Sequence, residues 1–368
     1  MRKAVIVLPT YNEVGNIERV VTQIFSTVKD VKNWEIHILV VDSKSPDGTE
    51  EKVEKLMRRY SQLHLLRIEK EGLGRAYTLG FQAAIEKLSP YLLFEMDADL
   101  SHDPKEILNF LREIEKGADF VVGSKYIKGG SIPKTWQLHR KMYSICANIF
   151  IRFGFMKLNI HDWTNGYRAV KTWVIKNSMS HIKNYSGYVF QIALLNYAVK
   201  NKAVIKEIPI QFADRKSGVS KIQPFQYILS IFLYIFFHSS FIKFAIVGFI
   251  GFVVDFVISY LAIEKANIAI WVSTLISTET AIISNFFLNN FWSFAYKKLD
   301  NNLRTYIPSF IKFNVVSSGS IAIQTVAVQL LANFFGRRFW YIYKILIIIL
   351  IIIPYSYILY NKFIWKEK

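Results

Sequence analysis

The 368-residue sequence has one cysteine, Cys146. A single thiol excludes an internal disulfide and any zinc site built on several cysteines, and it suits a cytosolic catalytic half. Acidic residues are also scarce: 28 Asp and Glu stand against 46 Lys and Arg, a net charge of +18. That excess points to anionic partners, which are nucleic acid, phosphate ligands or an anionic membrane face. The basic residues are spread through the chain, and neither a basic helix nor an aromatic RNA-binding motif is present, which argues against nucleic acid. The opening Met1-Arg2-Lys3 leads into the apolar run Ala4-Val5-Ile6-Val7-Leu8. That run is too short for a signal peptide and reads as a first strand stopped by Pro9.

Apolar residues are concentrated late. Residues 1 to about 221 are mixed and charged, whereas 224–363 are mostly apolar. In the first part, strand and helix patterns alternate. Strands are expected at Ala4–Leu8, Glu35–Val41, Leu63–Ile68, Tyr91–Met96 and Asp119–Val122. Helices are expected at Gly15–Val28, Thr49–Tyr60 and Gly74–Lys87, with a further one opened by Pro104, where a missing N–H costs nothing. This rhythm argues for an α/β fold with a mostly parallel sheet and helices on both faces. Ligands on such sheets bind at the carboxyl ends of the strands.

The strand ends carry the chemistry. Pro9-Thr10-Tyr11-Asn12-Glu13 follows the first strand, and Asp42 with Ser45-Pro46-Asp47-Gly48-Thr49 follows the second. Lys70-Glu71-Gly72-Leu73-Gly74 follows the third, and Asp97-Ala98-Asp99 ends the fourth. An acid after strand two suits a ribose or base edge, and glycines after strand three permit close backbone approach. Two carboxylates one residue apart offer hard oxygen ligands for a divalent cation carrying nucleotide phosphates.

Together with Met96–His102, Gly123-Ser124-Lys125-Tyr126, His139-Arg140-Lys141, Asp162–Arg168, Gly187–Gln191 and Asp214–Lys221, these segments resemble glycosyltransferase family 2, and within it the dolichol-phosphate mannose synthase group. The motifs stand in the family's order across nearly all of residues 4–221. The resemblance implies a GT-A (Rossmann-like) catalytic domain that transfers a hexose, with inversion, from a nucleotide diphosphate sugar to dolichyl or polyprenyl phosphate. Mannose from GDP-mannose is the favoured donor and glucose from UDP-glucose the alternative. It further implies that Mg²⁺ or Mn²⁺ is held by Asp97 and Asp99, with Ser101 a weaker third ligand. The nucleotide sugar would meet Pro9, Tyr11, Glu13, Asp42, Lys70, Gly72, Asp97, Ala98 and Lys125. The acceptor phosphate would meet Arg140, Ser144, Asp162, Thr164, Arg215, Ser220 and Lys221. Of these, Asp99, Arg140, Arg215 and Lys221 are the expected catalytic set. A phosphate monoester is largely dianionic near neutral pH, its second pKa being about 6, so no dedicated general base is required. His102 and His161 are not expected to bind metal.

The chain departs from the family pattern at Ser43, where a second acid is common, and at Lys125, where an arginine is common. Ser101 stands where some relatives have Gln, Ala193 where the family has Glu, and Gly218-Val219 where it has Gly-Glu. A flippase or scaffold with an inactive transferase half would lean on these changes. A processive polysaccharide synthase would need a Q-x-x-R-W motif, and Gln137–Lys141 lacks its Trp.

Four membrane helices are expected: Phe244–Ile263, Ala266–Tyr296, Phe313–Gly336 and Phe339–Asn361, the last with a kink at Pro354. At about 1.5 Å per residue, each reaches across a hydrocarbon core of roughly 30 Å. Pro224–His238 is expected to lie at the membrane interface, with a fifth span as the alternative. Ile242-Lys243-Phe244 recurs as Ile311-Lys312-Phe313, and Asn290-x-Trp292-x-Phe294 is echoed by Asn361-x-Phe363-x-Trp365. This suggests two helical-hairpin repeats, resembling the GtrA-like membrane domain. The expected division is a catalytic domain over 1–221, a juxtamembrane helix over 222–240 and the membrane domain over 241–368. Lys297, Lys298 and Arg304 between the second and third helices, and Lys362, Lys366 and Lys368 at the end, place both termini in the cytosol, against Arg337 and Arg338 on the other side. Asp255 and Glu279 should face protein or water.

Overall fold

The computed structural model describes residues 1–185, 187, 189–213 and 224–366. It divides into two compact units, Met1–Phe153 with Lys157–Tyr234, and Gly154–Met156 with Ile235–Lys368.

The first unit opens with β1 (Arg2–Thr10), α1 (Ile17–Val28), β2 (Trp34–Asp42), α2 (Thr49–Met57), β3 (Leu63–Arg67), α3 (Leu73–Leu88) and β4 (Leu92–Glu95). A 3₁₀ turn at Pro104–Glu106 leads into α4 (Ile107–Glu115), followed by β5 (Phe120–Ser124), α5 (Leu138–Phe155), β6 (Arg168–Lys171), α6 (Thr172–Ile182), α7 (Val189–Lys200) and β7 (Ile205–Pro209). The strands form one sheet in the order β3-β2-β1-β4-β6-β5-β7. All neighbours are parallel except β6, which runs antiparallel to both β4 and β5.

Alternation along each strand sends side chains to two helical layers. Ala4, Ile6, Leu8, Ile36, Ile38, Val40, Phe94 and Met96 join Ile17, Val20, Ile24, Phe110 and Leu111 in one buried core. On the other face Gly80 of α3 lets that helix press onto the sheet. A Cβ there would stand 2.7 Å from Val7 and 2.8 Å from Val41. This face also carries Glu95 and Asp97, because the pleat repeats every two residues.

α8 (Pro224–His238) comes next among the described residues. Its Ile228, Leu229, Phe232 and Leu233 are exposed, as are Met142, Ile145, Ile149 and Phe153 of α5.

The second unit is helical: α9 (Ser240–Tyr260), α10 (Ile270–Leu288), α11 (Leu303–Phe335), α12 (Trp340–Ile347) and α13 (Ile353–Phe363), with π-helical turns continuing α9, continuing α10 and joining α12 to α13. Among the described residues, three helical runs are long and apolar enough to cross a membrane: Ser240–Lys265, Leu303–Phe335 and Arg337–Phe363. The expected second span corresponds to α10, a helix that falls short of that apolarity because of its Ser, Thr, Asn and Glu residues. Near Pro354 the helix passes through a π turn into α13. Phe244, Phe286, Phe294, Phe313, Tyr357, Tyr360 and Trp365 form an aromatic core. Asn290 lies buried in it, accepting from Trp365 Nε1 at 3.0 Å and Leu299 N at 2.9 Å. Asp255 accepts from Ser277 Oγ at 2.7 Å and Thr278 Oγ1 at 3.2 Å, so this carboxylate faces protein.

Candidate active site

The carboxyl ends of β1, β2 and β4 lie side by side, with β3 beyond β2. The loops after β1 and β2 are stitched together. Asp42, fully buried, accepts from Thr10 Oγ1 at 2.8 Å, Ser45 N at 2.8 Å and Ser45 Oγ at 2.6 Å. Asn12 N donates to Ser45 Oγ, Glu13 N to Thr49 Oγ1 and Val14 N to Asp47 Oδ2, each at 3.0 Å. Burial pushes the Asp47 carboxyl up, but hydrogen bonds from Thr49 Oγ1, Val14 N and Thr49 N hold it below its ordinary range. Asp42 therefore shapes the loops, and both of its oxygens are engaged in doing so. Pro9 ends this stretch half-buried, and Glu13 accepts from Asn16 Nδ2 at 2.8 Å. Lys70 Nζ stands 3.6 Å from the centre of the Tyr11 ring, a cation–π contact at the mouth of the site. Gly72, at φ +95°, adopts a backbone that only glycine takes up without strain.

At the end of β4, the Asp97 side chain keeps 31% of its surface exposed, while Ala98, Asp99 and Ser101 are buried. Leu100, at φ +64°, turns the chain so that Ser101 N donates to Asp99 Oδ1 at 3.0 Å. Asp97 N donates to His102 Nδ1 at 3.0 Å, and Tyr77 OH approaches Asp97 Oδ1 at 3.5 Å. Among the described residues no three His, Cys, Asp or Glu side chains converge as a cation cage. Two carboxylates and the Ser101 hydroxyl, which is buried without a hydrogen-bond partner, nonetheless form a hard-oxygen donor set. It fits a divalent ion whose remaining ligands come from substrate phosphates, the usual habit of Mg²⁺.

Beneath Asp97 lies a polar cluster that sequence reasoning misses. Glu95 is fully buried opposite Arg168 in the β4–β6 ladder. Burial raises its carboxyl to about 7, with Asp97 adding to the rise and Arg168 opposing it. The Arg168 guanidinium donates to three carbonyls, those of Asn165, Gln191 and Trp163, at 2.6–2.8 Å. Burial likewise holds His102 below the ordinary imidazole value. The clue in the sequence is a lone acid inside the apolar run Leu92-Leu93-Phe94-Glu95-Met96.

On the β5–β6 side, Asp162 is a buried hub. It pairs with Lys125 Nζ at 2.9 Å and accepts from Lys125 N at 3.1 Å, Thr164 N at 3.3 Å and Asn165 N at 3.1 Å. Glu207 of β7 accepts from the backbone amides of His161 and Asp162 at 2.9–3.0 Å and takes His161 Nδ1 at 2.8 Å. Tyr126 OH and Ser144 Oγ lie 2.5 Å apart, and burial pushes the Tyr126 phenol up to about 12. Thr164 Oγ1 accepts from Asn148 Nδ2 at 3.2 Å. Arg140 is exposed, its guanidinium 4.0 Å from the centre of the Trp136 ring. Phe212, another residue that sequence reasoning misses, touches Trp136, His102 and Lys125. Arg215, Ser220 and Lys221 lie outside the described residues.

A mostly parallel α/β unit with two carboxylates at a strand end, linked to helices of membrane-spanning length, defines a membrane-attached α/β protein with a candidate active site at the carboxyl edge of its sheet. Comparison makes this specific. Residues 5–181 match the model of glycosyl transferase family 2, and residues 243–365 match the GtrA/DPMS transmembrane domain. The chain is 30% identical to a dolichol-phosphate mannosyltransferase of Pyrococcus furiosus over 87% of this chain and 88% of that one. It is 37% identical to a polyprenol monophosphomannose synthase of Mycolicibacterium smegmatis over 60% of this chain and 81% of that one. It is 33% identical to an undecaprenyl-phosphate mannosyltransferase of Micrococcus luteus over 58% of this chain and 85% of that one. The chain belongs to glycosyl transferase family 2 and is a membrane-associated glycosyltransferase carrying a GtrA/DPMS transmembrane domain.

Proposed function

We propose that the protein transfers mannose, with inversion, from GDP-mannose to a dolichyl or other polyprenyl phosphate. The observation that carries this reading is that three relatives of 30–37% identity, each matched over more than four-fifths of its length, are named for mannosyl transfer to a polyprenol or its phosphate. The domain division expected from the sequence, with two hairpin repeats in the membrane part, belongs to the same reading. It is supported by contacts at matching positions: Gly251 packs against Asn285, and Ser320 bonds Ser356 at 2.9 Å.

In this mechanism Asp97 and Asp99, with Ser101 beside them, would hold Mg²⁺ or Mn²⁺. The ion supplies charge neutralisation for the leaving nucleoside diphosphate. Tyr11, Glu13, Lys70 and Gly72 border the nucleotide, and Asp42 acts by fixing the loops after β1 and β2. The acceptor phosphate is itself the nucleophile, largely dianionic at neutral pH. Two anions must meet, so cations belong between them. Arg140 would bridge donor and acceptor, with Arg215, Ser220 and Lys221 gripping the lipid phosphate. Lys125 and Asp162, already paired, would set the floor on which Ser144 and Thr164 meet the acceptor. The exposed apolar faces of α5 and α8 suit contact with a bilayer, and the basic segments suit a cytosolic active site.

The test is incubation of the detergent-purified chain with dolichyl phosphate, Mn²⁺ or Mg²⁺, and GDP-mannose or UDP-glucose in parallel, with detection of product by mass. Dolichyl phosphomannose from GDP-mannose alone is the expected result. Product from UDP-glucose alone would replace the sugar assignment, donor binding without any product would point to another sugar or acceptor, and no donor binding at all would return weight to an inactive-transferase scaffold.

A further inference from the structure

We infer that His102 is a positioning residue for the Asp97 carboxylate, fixed by the fold as the Nε2–H tautomer and turned toward the cation side of the D-A-D segment. The inference rests on the cation reading of Asp97 given above.

The tautomer follows from one contact. Asp97 N donates to His102 Nδ1 at 3.0 Å. A backbone amide can only donate, so Nδ1 accepts and carries no proton. The ring's one proton is then on Nε2. That nitrogen lies 4.0 Å from Asp97 Oδ2, is buried and has no hydrogen bond of normal length, and the Asn165 side chain is a further polar neighbour of the ring.

The ring has little freedom to move away. His102 is 1% exposed. It stacks on Tyr167 with centroids 4.7 Å apart and meets the edge of Phe212 at 5.6 Å. Gly166 closes the remaining side, since a Cβ there would stand 3.9 Å from His102 Cε1. Asp97 is the more exposed of the two carboxylates, at 31%. A small rotation of its carboxylate brings Oδ2 within hydrogen-bond reach of Nε2–H.

One imidazole therefore acts on Asp97 twice. Nδ1 fixes the backbone from which the carboxylate springs, and Nε2–H fixes the direction in which one oxygen points. The other oxygen, Oδ1, has Tyr77 OH 3.5 Å away. A neutral donor orients the carboxylate without cancelling its charge, whereas an imidazolium would compete with the metal. Hydrogen bonds from a second layer of residues commonly change metal affinity by about 10–100-fold.

The experiment uses the full chain in detergent and three variants. His102→Asn keeps an acceptor for Asp97 N and removes the Nε2–H. His102→Gln places an amide donor near the Nε2 position. His102→Phe keeps the stack on Tyr167 and removes both nitrogens. Mn²⁺ binding is read by electron paramagnetic resonance in the presence of GDP, alongside the thermal midpoint and sugar-transfer kinetics. The expected result is Mn²⁺ binding about tenfold weaker in His102→Asn, measured well below a midpoint that loss of the Tyr167 stack lowers, with kcat lowered and the acceptor KM unmoved. Partial recovery is expected in His102→Gln, and the largest loss in His102→Phe. Mn²⁺ binding at the unsubstituted level in both His102→Asn and His102→Gln would overturn the inference while leaving the cation reading intact. Absence of Mn²⁺ binding by the unsubstituted chain would overturn both.

Discussion

The two sides of the catalytic sheet hold their site residues by different means. On the β3-β2-β1-β4 side the loops fasten one another. Asp42 takes Thr10 and Ser45, while Asp47 and Thr49 take the amides of Val14 and Glu13. On the β6-β5-β7 side the anchors come from far along the chain. Lys125 is pinned by Asp162, and Glu207 caps the turn that presents Asp162. The first arrangement is built from neutral and singly charged hydrogen bonds at a half-exposed edge. The second depends on a buried ion pair, and the Asp162 turn fails if either partner is removed. The donor side should therefore tolerate single changes in stability while losing catalysis, and the acceptor side should lose stability first.

The largest effect tests that contrast directly. Lys125 and Asp162 have side-chain exposures of 5% and 0%. Removing one partner strands a buried charge, at a cost of about 3–5 kcal/mol. Asp162→Ala should lower unfolding free energy by that amount in denaturant titration. The pair Lys125→Met with Asp162→Asn should recover much of the loss, because no charge is left unpaired. Equal losses in the single and double variants would show that the hydrogen bonds of Asp162, rather than its charge, hold this side together.

On the donor side the prediction reverses. Asp97→Asn is isosteric at a position one-third exposed. It should leave the thermal midpoint within about a degree and reduce sugar transfer by about 10²–10³-fold, the scale for losing one aligned electrostatic contact. Steady-state transfer at saturating donor measures it. A variant that unfolded earlier but still turned over would invert the comparison.

Glu95 stands where the two sides join, flanked by β1 and β6. Its carboxyl is raised to about 7 in the fold, above the ordinary 4.5. The folded state thus binds the extra proton. Its contribution is fully present below pH 4.5 and is lost as pH climbs to about 7, a swing of about 3 kcal/mol. Glu95→Gln should flatten that slope in unfolding curves taken between pH 5 and pH 7.5. His64, at the far edge, works oppositely. Burial, with His37 and Lys3 nearby, lowers its pKa, so stability should fall as pH drops below 6.5. The two slopes oppose each other, which makes the Glu95→Gln difference the cleaner measurement.

The same contrast explains what the sequence discloses. β1 to β4 alternate with helices at short range, and each strand end carries its loop motif within a few residues, so fold and donor site are legible together. Asp97 and Asp99 lie at the strand end where the apolar run stops. The acceptor side is harder to read because its support is non-local. Glu207 lies 45 positions from Asp162, and Phe212 meets His102 across more than a hundred residues. β6 enters the sheet antiparallel, which a βαβ rhythm does not announce. In the membrane part, hydropathy identifies α9, α11 and the final helix by their aliphatic runs. α10 falls short of that measure through its polar residues, of which Ser273 and Ser277 are buried, Ser277 bonding Asp255 at 2.7 Å.

The smallest effects belong to Arg140, which neither side buries. Its guanidinium rests 4.0 Å from the centre of the Trp136 ring, and Trp136 in turn meets Phe212. Arg140→Ala should leave stability unchanged, since the side chain is exposed. Transfer should fall about tenfold, from the loss of one charge-assisted hydrogen bond. Arg140→Lys should recover only part of it, because an ammonium cannot grip two phosphate oxygens in a plane. Trp136→Ala removes the platform and keeps the charge. An exposed cation–π contact is worth about 0.5–1 kcal/mol, so transfer should fall only about two- to fivefold, mainly through the acceptor KM. A Trp136→Ala loss as large as that of Arg140→Ala would mean that the platform holds more than Arg140. Because Phe212 touches Trp136, Lys125 and His102, such a result would extend the cooperative acceptor side outward to the surface.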